Sequence, residues 1–166
     1  PVQVTTPTGA VGDPIAVVGV GVRLPGGVDA PEQLWSLLVE GREAMGAFPE
    51  DRGWEVPQHS AQGAFLYDAS HFDAGFFGIS PREAELMDPQ QRLLLEGSWH
   101  LLEDAAYPPS ALKGERVGVF VGASTQDYIS LIASTVHRTH PLATTGNART
   151  MLANRISYHF GFTGPS

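Results

Sequence analysis

The 166-residue sequence has no cysteine, a single lysine and no long apolar run. Without cysteine it can form no disulfide and no thiolate metal site, and it has no thiolate nucleophile of its own. No apolar segment is long enough to span a bilayer, and residues 1–12 lack the pattern of a secretory signal. We therefore expect no membrane association and take a cytoplasmic location as the default.

Basic residues are also scarce, because ten Lys and Arg face eighteen Asp and Glu and leave a formal charge of -8. The only lysine is Lys113, and the arginines are scattered along the chain. Nucleic-acid binding relies on clustered basic residues, so no nucleic-acid partner is expected. The composition, 42% hydrophobic and 17% charged, is that of a folded domain.

The domain organisation follows from where hydrophobic periodicity begins. Residues 1–12 are rich in Thr, Pro and Gly and predict a linker, whereas residues 13–166 carry the pattern of a folded unit. Two short apolar runs, 15–21 and 116–122, predict buried strands. Residues 46–64 have little pattern and predict an irregular loop.

Local signals predict where several helices begin and end. Asp29 is a candidate cap for a helix that Gly41 ends. Ser80 and Glu83 form a capping box, and Asp88 starts a further helix that two prolines stop. Helices are also predicted over 125–134 and 147–160, the latter ending at Gly161. Strands that alternate with helices indicate an α/β arrangement with parallel strands.

One motif suggests a dinucleotide site but does not complete it. Gly19 and Gly21 follow a predicted strand, yet Leu24 occupies the place of the third glycine and Pro25 follows it. A tight turn after the strand explains these residues better. An oxidoreductase therefore remains only a distant alternative.

Other chemistry-bearing residues are isolated. His137 and His140 are three residues apart, but no further ligand lies nearby in sequence, so no metal site is predicted. Ser124 follows the second predicted strand without the flanking glycine or base of a serine nucleophile. Phe72 and its aromatic neighbours predict core packing. These patterns alone indicate an α/β half-domain with no assembled active site.

The order of several longer motifs resembles the ketosynthase (beta-ketoacyl synthase) domain of type I modular polyketide synthases. The motifs are DPIAVVG from residue 13, RLPGG from 23, PEQLW from 31, PEDRGW from 49, FDAGFFGISPREA from 72, MDPQQRLLLE from 87, GVFVG from 118, DY from 127 and NRISY from 154. The resemblance covers about residues 13–166.

The resemblance implies the thiolase-like fold, an α/β body of α-β-α-β-α layers built from two similar halves, of which this chain is the N-terminal half. It also implies a homodimer. The implied reaction is decarboxylative Claisen condensation of acyl and malonyl-type thioesters, which an acyl carrier protein presents on its phosphopantetheine. The implied partners are that carrier protein and the C-terminal half of the same ketosynthase.

The resemblance assigns no catalytic residue to this chain. The family's Cys motif comes a few residues after the Gly-Pro-Ser at 164–166, and its two histidine motifs come later. The segment is expected to bind no cofactor or metal itself, and the isolated chain is expected to be inactive. The alternative is a non-catalytic pseudo-ketosynthase or a structural half-domain.

Three substrate-binding positions are implied by the same resemblance. Thr125 matches a position that lines the acyl-chain pocket, and Leu142 and Ala143 match a segment that reaches toward the partner subunit's pocket. Helix 147–160 matches one at the dimer interface. For each of these, ordinary core or surface packing remains the alternative. The loop after Trp54 is shorter than in typical modular relatives, so contacts at the pocket entrance should differ.

Overall fold

The computed structural model describes residues 14–56, 62–137 and 139–166, and helices dominate these segments. The predicted linker and most of the short loop after Trp54 lie outside the described residues. The elements, in chain order, are α1 Pro31–Val39, β1 Gly46–Ala47, a 3-10 helix Glu50–Arg52, β2 Gln62–Gly63, α2 Pro81–Leu86, α3 Pro89–Asp104, α4 Pro109–Leu112, α5 Tyr128–Ala133, α6 Pro141–Asn147 and α7 Met151–Phe160.

The predicted starts of α2 and α3 are confirmed. The Ser80 hydroxyl accepts a hydrogen bond from the Glu83 backbone N–H at 3.2 Å. The Asp88 carboxylate accepts one from the Gln90 N–H at 2.8 Å. At the other end of the chain, Gly161 ends α7 with φ +70°, a left-handed conformation that glycine adopts without strain.

The predicted cap of α1 is wrong by one residue, because Ala30 and not Asp29 is the N-cap. The Gln33 side-chain oxygen accepts hydrogen bonds from the N–H groups of Asp29 and Ala30, at 2.6 and 3.2 Å. The Asp29 carboxylate is therefore not needed for capping. Gly41 follows the helix with φ +63°, as predicted.

Two predicted helices have different bounds. The segment 125–134 is helical only over α5, and 147–160 contains a break at Ala148, whose ψ of 129° is extended. Residues before the break form α6, which periodicity did not predict. The break has a tertiary cause, because the Asn147 side chain donates to the Leu86 carbonyl at 2.9 Å and holds the end of α6 against α2.

The predicted buried strand over 15–21 is wrong in this structure. The segment lies along α3, where the Val20 N–H donates to an Asp104 carboxylate oxygen at 2.9 Å. Its other side is open, and Ile15 is 97% exposed. A strand is defined by its hydrogen-bonded neighbours, and no described segment pairs with this one.

The predicted buried strand over 116–122 is extended but buried on one face only. Val119 and Val121 pack against the core, whereas Phe120 is 84% exposed. Thr163 donates its N–H to the Glu115 carbonyl at 2.9 Å, and Val119 donates to Pro165 at 2.8 Å. The two segments therefore run side by side in the same direction, as strands of a parallel sheet do.

The predicted irregular loop over 46–64 is mostly irregular. Its exceptions are the 3-10 helix and the antiparallel pairing of β1 with β2, in which Gly46 faces Gly63.

The main core lies between α3 and α7. Its buried members are Phe77, Met87, Leu95, Ile156 and Phe160. Leu95, Trp99 and Leu102 recur along α3 at helical spacing, and all three side chains belong to the cluster. Burying a side chain such as Leu95 stabilises the fold by about 1.5–3 kcal/mol. Among the helices described, none is both long and apolar enough to cross a membrane.

Candidate functional site

A cavity of about 880 Å³ opens between the first turn of α3, α5 and two loop segments. Its lining is more apolar than polar, which is typical of ligand pockets. The lining residues are Arg52, Trp54, Ala69, Ser70, Glu85, Asp88, Pro89, Gln90, Arg92, Thr125, Asp127, Tyr128 and Leu131. The cavity therefore collects segments that are far apart in sequence.

Thr125 lies in the wall of this cavity. Its backbone carbonyl accepts a hydrogen bond from the Gln90 side chain at 3.1 Å. Gln90 also contacts the Asp88 carboxylate that caps α3. The start of α3 thus fixes the backbone that carries Thr125. Ser124, the nearby residue considered as a nucleophile, is exposed, and its carbonyl contacts Arg149 at 3.5 Å.

Leu142 and Ala143 do not line the cavity with Thr125. Ala143 is buried with Leu86 and Ile132, and Leu142 packs against the same cluster beside Tyr128. The structure therefore brings Leu142 and Ala143 together behind the α5 wall. His140 caps their helix, because its Nδ1 accepts the Leu142 N–H at 3.2 Å.

Buried polar groups hold α6 in place. Gln91 donates from its side-chain amide to the Gly146 and Thr145 carbonyls, at 2.8 and 3.2 Å. The Asp88 N–H donates to the same Gly146 carbonyl at 2.8 Å. Asn147, the last residue of α6, donates to the Leu86 carbonyl of α2 at 2.9 Å. We call the contacts of Gln91 and Asp88 with α6, together with that of Asn147 with α2, the α6 clamp.

Arg155 extends the clamp toward α2 and α7. Its Nε donates to the Gln91 oxygen at 2.7 Å, and its terminal nitrogen pairs with Glu83 at 2.6 Å. The side chains of Arg155 and Glu83 are both partly buried. Solvent ions therefore screen the attraction between them less than in a surface ion pair. The signal for this network was present in the sequence, because Gln91 lies four residues before Leu95 on the same helix face. Sequence reasoning did not use it.

Two arginines in the cavity wall pack on aromatic rings. The guanidinium of Arg52 lies 5.2 Å from the centre of the Trp54 ring, and that of Arg92 lies 5.9 Å from the centre of the Tyr128 ring. Arg52 also donates to the Leu66 carbonyl. Neither arginine was a candidate in the sequence, because their proximity to one cavity depends on how the loops fold.

A second charged cluster lies at a different surface, where Arg23 contacts Asp68 and Glu96, both at 2.6 Å. Burial alone would lower the pKa of Arg23, but the hydrogen bonds and charges of these carboxylates outweigh it and raise the pKa. This cluster joins the loop before α1 to α3 and supplies structural support.

The remaining sequence candidates do not converge on a site. Gly19 packs so closely on α3 that an added Cβ would lie 2.9 Å from that of Ala105, which explains this glycine by packing. Leu24 bridges to Val28 in a turn, where a dinucleotide fingerprint would require a helix. Within residues 14–56, 62–137 and 139–166, no three His, Asp or Glu side chains are grouped as a metal site requires.

Comparison with known sequences decides the family. The sequence pattern of the family described as "Beta-ketoacyl synthase, N-terminal domain" matches residues 12–166. The chain belongs to the beta-ketoacyl synthase family. It is 47% identical over 169 aligned residues to the polyketide synthase GfsB of Streptomyces halstedii. It is 46% identical over 166 residues to the erythronolide synthase EryA2 of Saccharopolyspora erythraea.

A solved ketosynthase shares its fold. The ketosynthase from module 6 of the bacillaene synthase of Bacillus subtilis 168 superimposes with a TM-score of 0.76 at 32% identity, over 91% of this chain. The predicted thiolase-like α/β fold, N-terminal part, is thus confirmed, as is the resemblance to polyketide synthase ketosynthases. In this chain, however, the segments 15–21 and 116–122 lack most of the pairing that a complete sheet would give them.

The comparisons also show how much of each relative this chain matches. The alignment covers 95% of this chain but 3% of GfsB, and 93% of this chain but 5% of EryA2. The chain spans 26% of the solved ketosynthase chain. The chain therefore corresponds to part of one domain of these relatives, the region that the family's N-terminal pattern describes.

Proposed function

We propose that this chain is part of a ketosynthase that joins an acyl group to a malonyl-type unit by decarboxylative Claisen condensation. The observation that carries the proposal is the family match from residue 12 to residue 166, which includes the segments that form the cavity. The chain would supply scaffold, pocket and dimer surface.

The proposed reaction has two stages. A cysteine thiolate takes the acyl group from a thioester and releases the donor thiol. The extender thioester then loses CO₂, and its carbanion attacks the acyl–cysteine carbonyl. The tetrahedral intermediate collapses, expels the cysteine thiolate and leaves a β-ketoacyl thioester on the carrier.

The chain's own residues would take part only in binding. The sequence contains no cysteine, so the thiolate would come from polypeptide outside these residues. Thr125 would contact the acyl chain, in keeping with its position in the cavity wall. Leu142 and Ala143, on α6, would lie toward the partner subunit of a homodimer. Segment 147–160, which contains α7, would contribute to that interface.

The partners belong to the same proposal. An acyl carrier protein would deliver both substrates on its phosphopantetheine arm, and the C-terminal half of the ketosynthase would complete the fold. The enzyme would act in the cytoplasm. The chain itself would bind no cofactor or metal.

The test uses the protein that contains this chain, a malonyl-loaded carrier protein and an acyl thioester. Mass spectrometry of the carrier should show the acyl chain lengthened by two carbons, with release of CO₂. Loss of CO₂ without a longer chain would indicate a variant that only decarboxylates the extender, and it would contradict the proposal. No change in either substrate would also contradict it and would favour the non-catalytic pseudo-ketosynthase or structural alternative.

The role of Thr125 has a separate test. The Thr125→Trp substitution should reduce kcat/KM about tenfold or more for long acyl chains and less for short ones, because the indole would occupy cavity volume. Ser110→Trp, at an exposed position of α4 away from the cavity, is the control and should leave the chain-length profile unchanged.

A further inference from the structure

Side chains hold residues 123–126, which we call the Thr125 segment. The segment lies before α5 and outside any helix or strand. Among the described residues, no backbone–backbone hydrogen bond includes it. Instead, the Gln90 amide donates to the Thr125 carbonyl at 3.1 Å, and the Gln126 amide donates to the Asn147 carbonyl. The position of this part of the cavity wall therefore depends on contacts with α3 and α6.

The Gln90 amide is fixed by a buried anchor. Its nitrogen lies 3.1 Å from the Thr125 carbonyl oxygen and 3.3 and 3.4 Å from the two Asp88 carboxylate oxygens. All three oxygens are acceptors, so the amide can present only its NH₂ group to them. Asp88 is 4% exposed, and its own N–H donates to the Gly146 carbonyl at 2.8 Å. The first turn of α3 thus sets the place of the Gln90 amide and the direction of its hydrogen bond to Thr125.

This hydrogen bond joins two walls of one cavity. The first turn of α3 and Thr125 both line the cavity of about 880 Å³. The bond therefore fixes how far the Thr125 segment lies from α3. A displacement of about 1 Å in a binding site is enough to change a reaction rate strongly. A single side chain of α3 thus controls one dimension of the cavity.

We propose that Gln90 is a positioning residue that sets the length of acyl chain the cavity accepts, because it holds the Thr125 segment against α3. The inference rests on the proposed function, which assigns the cavity to the acyl chain. Without the bond from Gln90, the segment can move away from α3 and admit chains that the fixed wall excludes. Short chains that do not reach this wall are unaffected.

The experiment measures kcat/KM for straight-chain acyl thioesters, from acetyl to dodecanoyl, in the protein that contains this chain. Gln90→Met keeps the size of the side chain and removes the donor. Its preference for the best chain over the longest should be about 3- to 10-fold smaller than that of the wild type. A uniform loss over the whole series would overturn the inference, and so would a wild-type profile that does not decline toward long chains.

Two variants separate the hydrogen bond from side-chain volume and from stability. Gln90→Glu keeps the shape but replaces the donor with a carboxylate, so it should flatten the profile as Gln90→Met does. Gln33→Met is the control, because the Gln33 side chain accepts two hydrogen bonds at the start of α1, away from the cavity. A wild-type profile in Gln90→Glu, or a flattened profile in Gln33→Met, would overturn the inference.

A double variant tests whether Gln90 acts through the Thr125 segment, since Gln90 also lines the cavity. Thr125→Ala keeps the carbonyl that Gln90 contacts but removes the side chain that the segment presents to the cavity. Gln90→Met should therefore change the profile much less in the Thr125→Ala background than in the wild type. Fully additive effects would assign the effect to direct contact of Gln90 with the acyl chain and would overturn the positioning role.

Two measurements without turnover distinguish failure of this inference from failure of the proposed function. Hydrogen exchange of peptides that contain residues 123–126 should be faster in Gln90→Met and unchanged in Gln33→Met, and equal exchange in all three proteins would overturn the positioning role. Calorimetry with non-reactive acyl analogues gives the length preference of binding. Absence of condensation would count against the proposed function, whereas the same binding preference in Gln90→Met and the wild type would count against the role of Gln90.

Discussion

Gln91 is the residue on which the α6 clamp depends most. Its amide donates to two carbonyls of α6 and its oxygen accepts from Arg155. Gln91→Leu keeps the size but removes all three hydrogen bonds, and only the Gly146 carbonyl retains another donor, the Asp88 N–H; we therefore expect the free energy of unfolding to fall by about 2–4 kcal/mol. Denaturant unfolding of the protein that contains this chain would measure it. Gln90→Leu, at the more exposed neighbouring position, should cost less, and equal losses would contradict the clamp.

His159 gives the fold a predictable pH dependence. Its ring packs at 5.0 Å from Phe77 and 4.8 Å from Phe160, and burial lowers its pKa below the ordinary value. The unfolded chain therefore binds a proton first as pH falls. The stabilising contribution is complete above about pH 6.5 and is lost as pH falls from there through the lower folded pKa.

His159→Phe should therefore make the free energy of unfolding less dependent on pH below about 6.5. Urea denaturation at a series of pH values checks this. His100→Gln is the control, since the His100 side chain is 71% exposed and contacts Glu103 at the surface. An unchanged slope for His159→Phe would contradict the assignment.

At the scale of elements, the helix boundaries marked by Ser80, Asp88 and Gly161 were predictable, and the strands were not. Ser80, Asp88 and Gly161 act through bonds to residues close in sequence, so their patterns are sufficient. The segments 15–21 and 116–122 have strand sequences, but a strand needs neighbours that no local pattern contains. The separation of α6 from α7 at Ala148 has the same origin, because the α6 clamp imposes it.

The contact between α6 and α2 gives a sharp test at this scale. Gly146 lies so close to the end of α2 that an added Cβ would be 2.3 Å from the Leu86 carbonyl oxygen. Gly146→Ala should displace α6 and lower stability by about 1–3 kcal/mol. Gly97→Ala, inside α3 with nothing within 4 Å, should instead raise stability by up to about 1 kcal/mol. Denaturant unfolding compares them, and a neutral Gly146→Ala would contradict the tight contact.

At the scale of the whole molecule, the cavity could not be predicted from sequence, because its lining residues come together only when the chain folds. Thr125 was identified through the family resemblance, whereas Arg92 and Tyr128 gained significance only when α3 and α5 came together. Leu142 and Ala143 were identified in the same way as Thr125, yet they lie behind the wall in this chain. Their proposed role depends on a second subunit.

The isolated 166-residue chain should be prone to association in solution. Ile15, Val17 and Phe120 are 97%, 81% and 84% exposed, and they lie on extended segments that lack most of their pairing. Apolar surface of this kind promotes association. We expect the chain alone to bind a hydrophobic dye and to self-associate in sedimentation. A monodisperse monomer that unfolds cooperatively would contradict this expectation.

The most direct measurement locates the acyl group in the protein that contains this chain. After brief exposure to an acyl thioester and proteolysis, mass spectrometry identifies the modified residue. The proposed function predicts an acyl adduct on a cysteine outside these 166 residues, and none on peptides from within them. An adduct on Ser124, Thr125 or any other residue of this chain, formed at the rate of turnover, would contradict it.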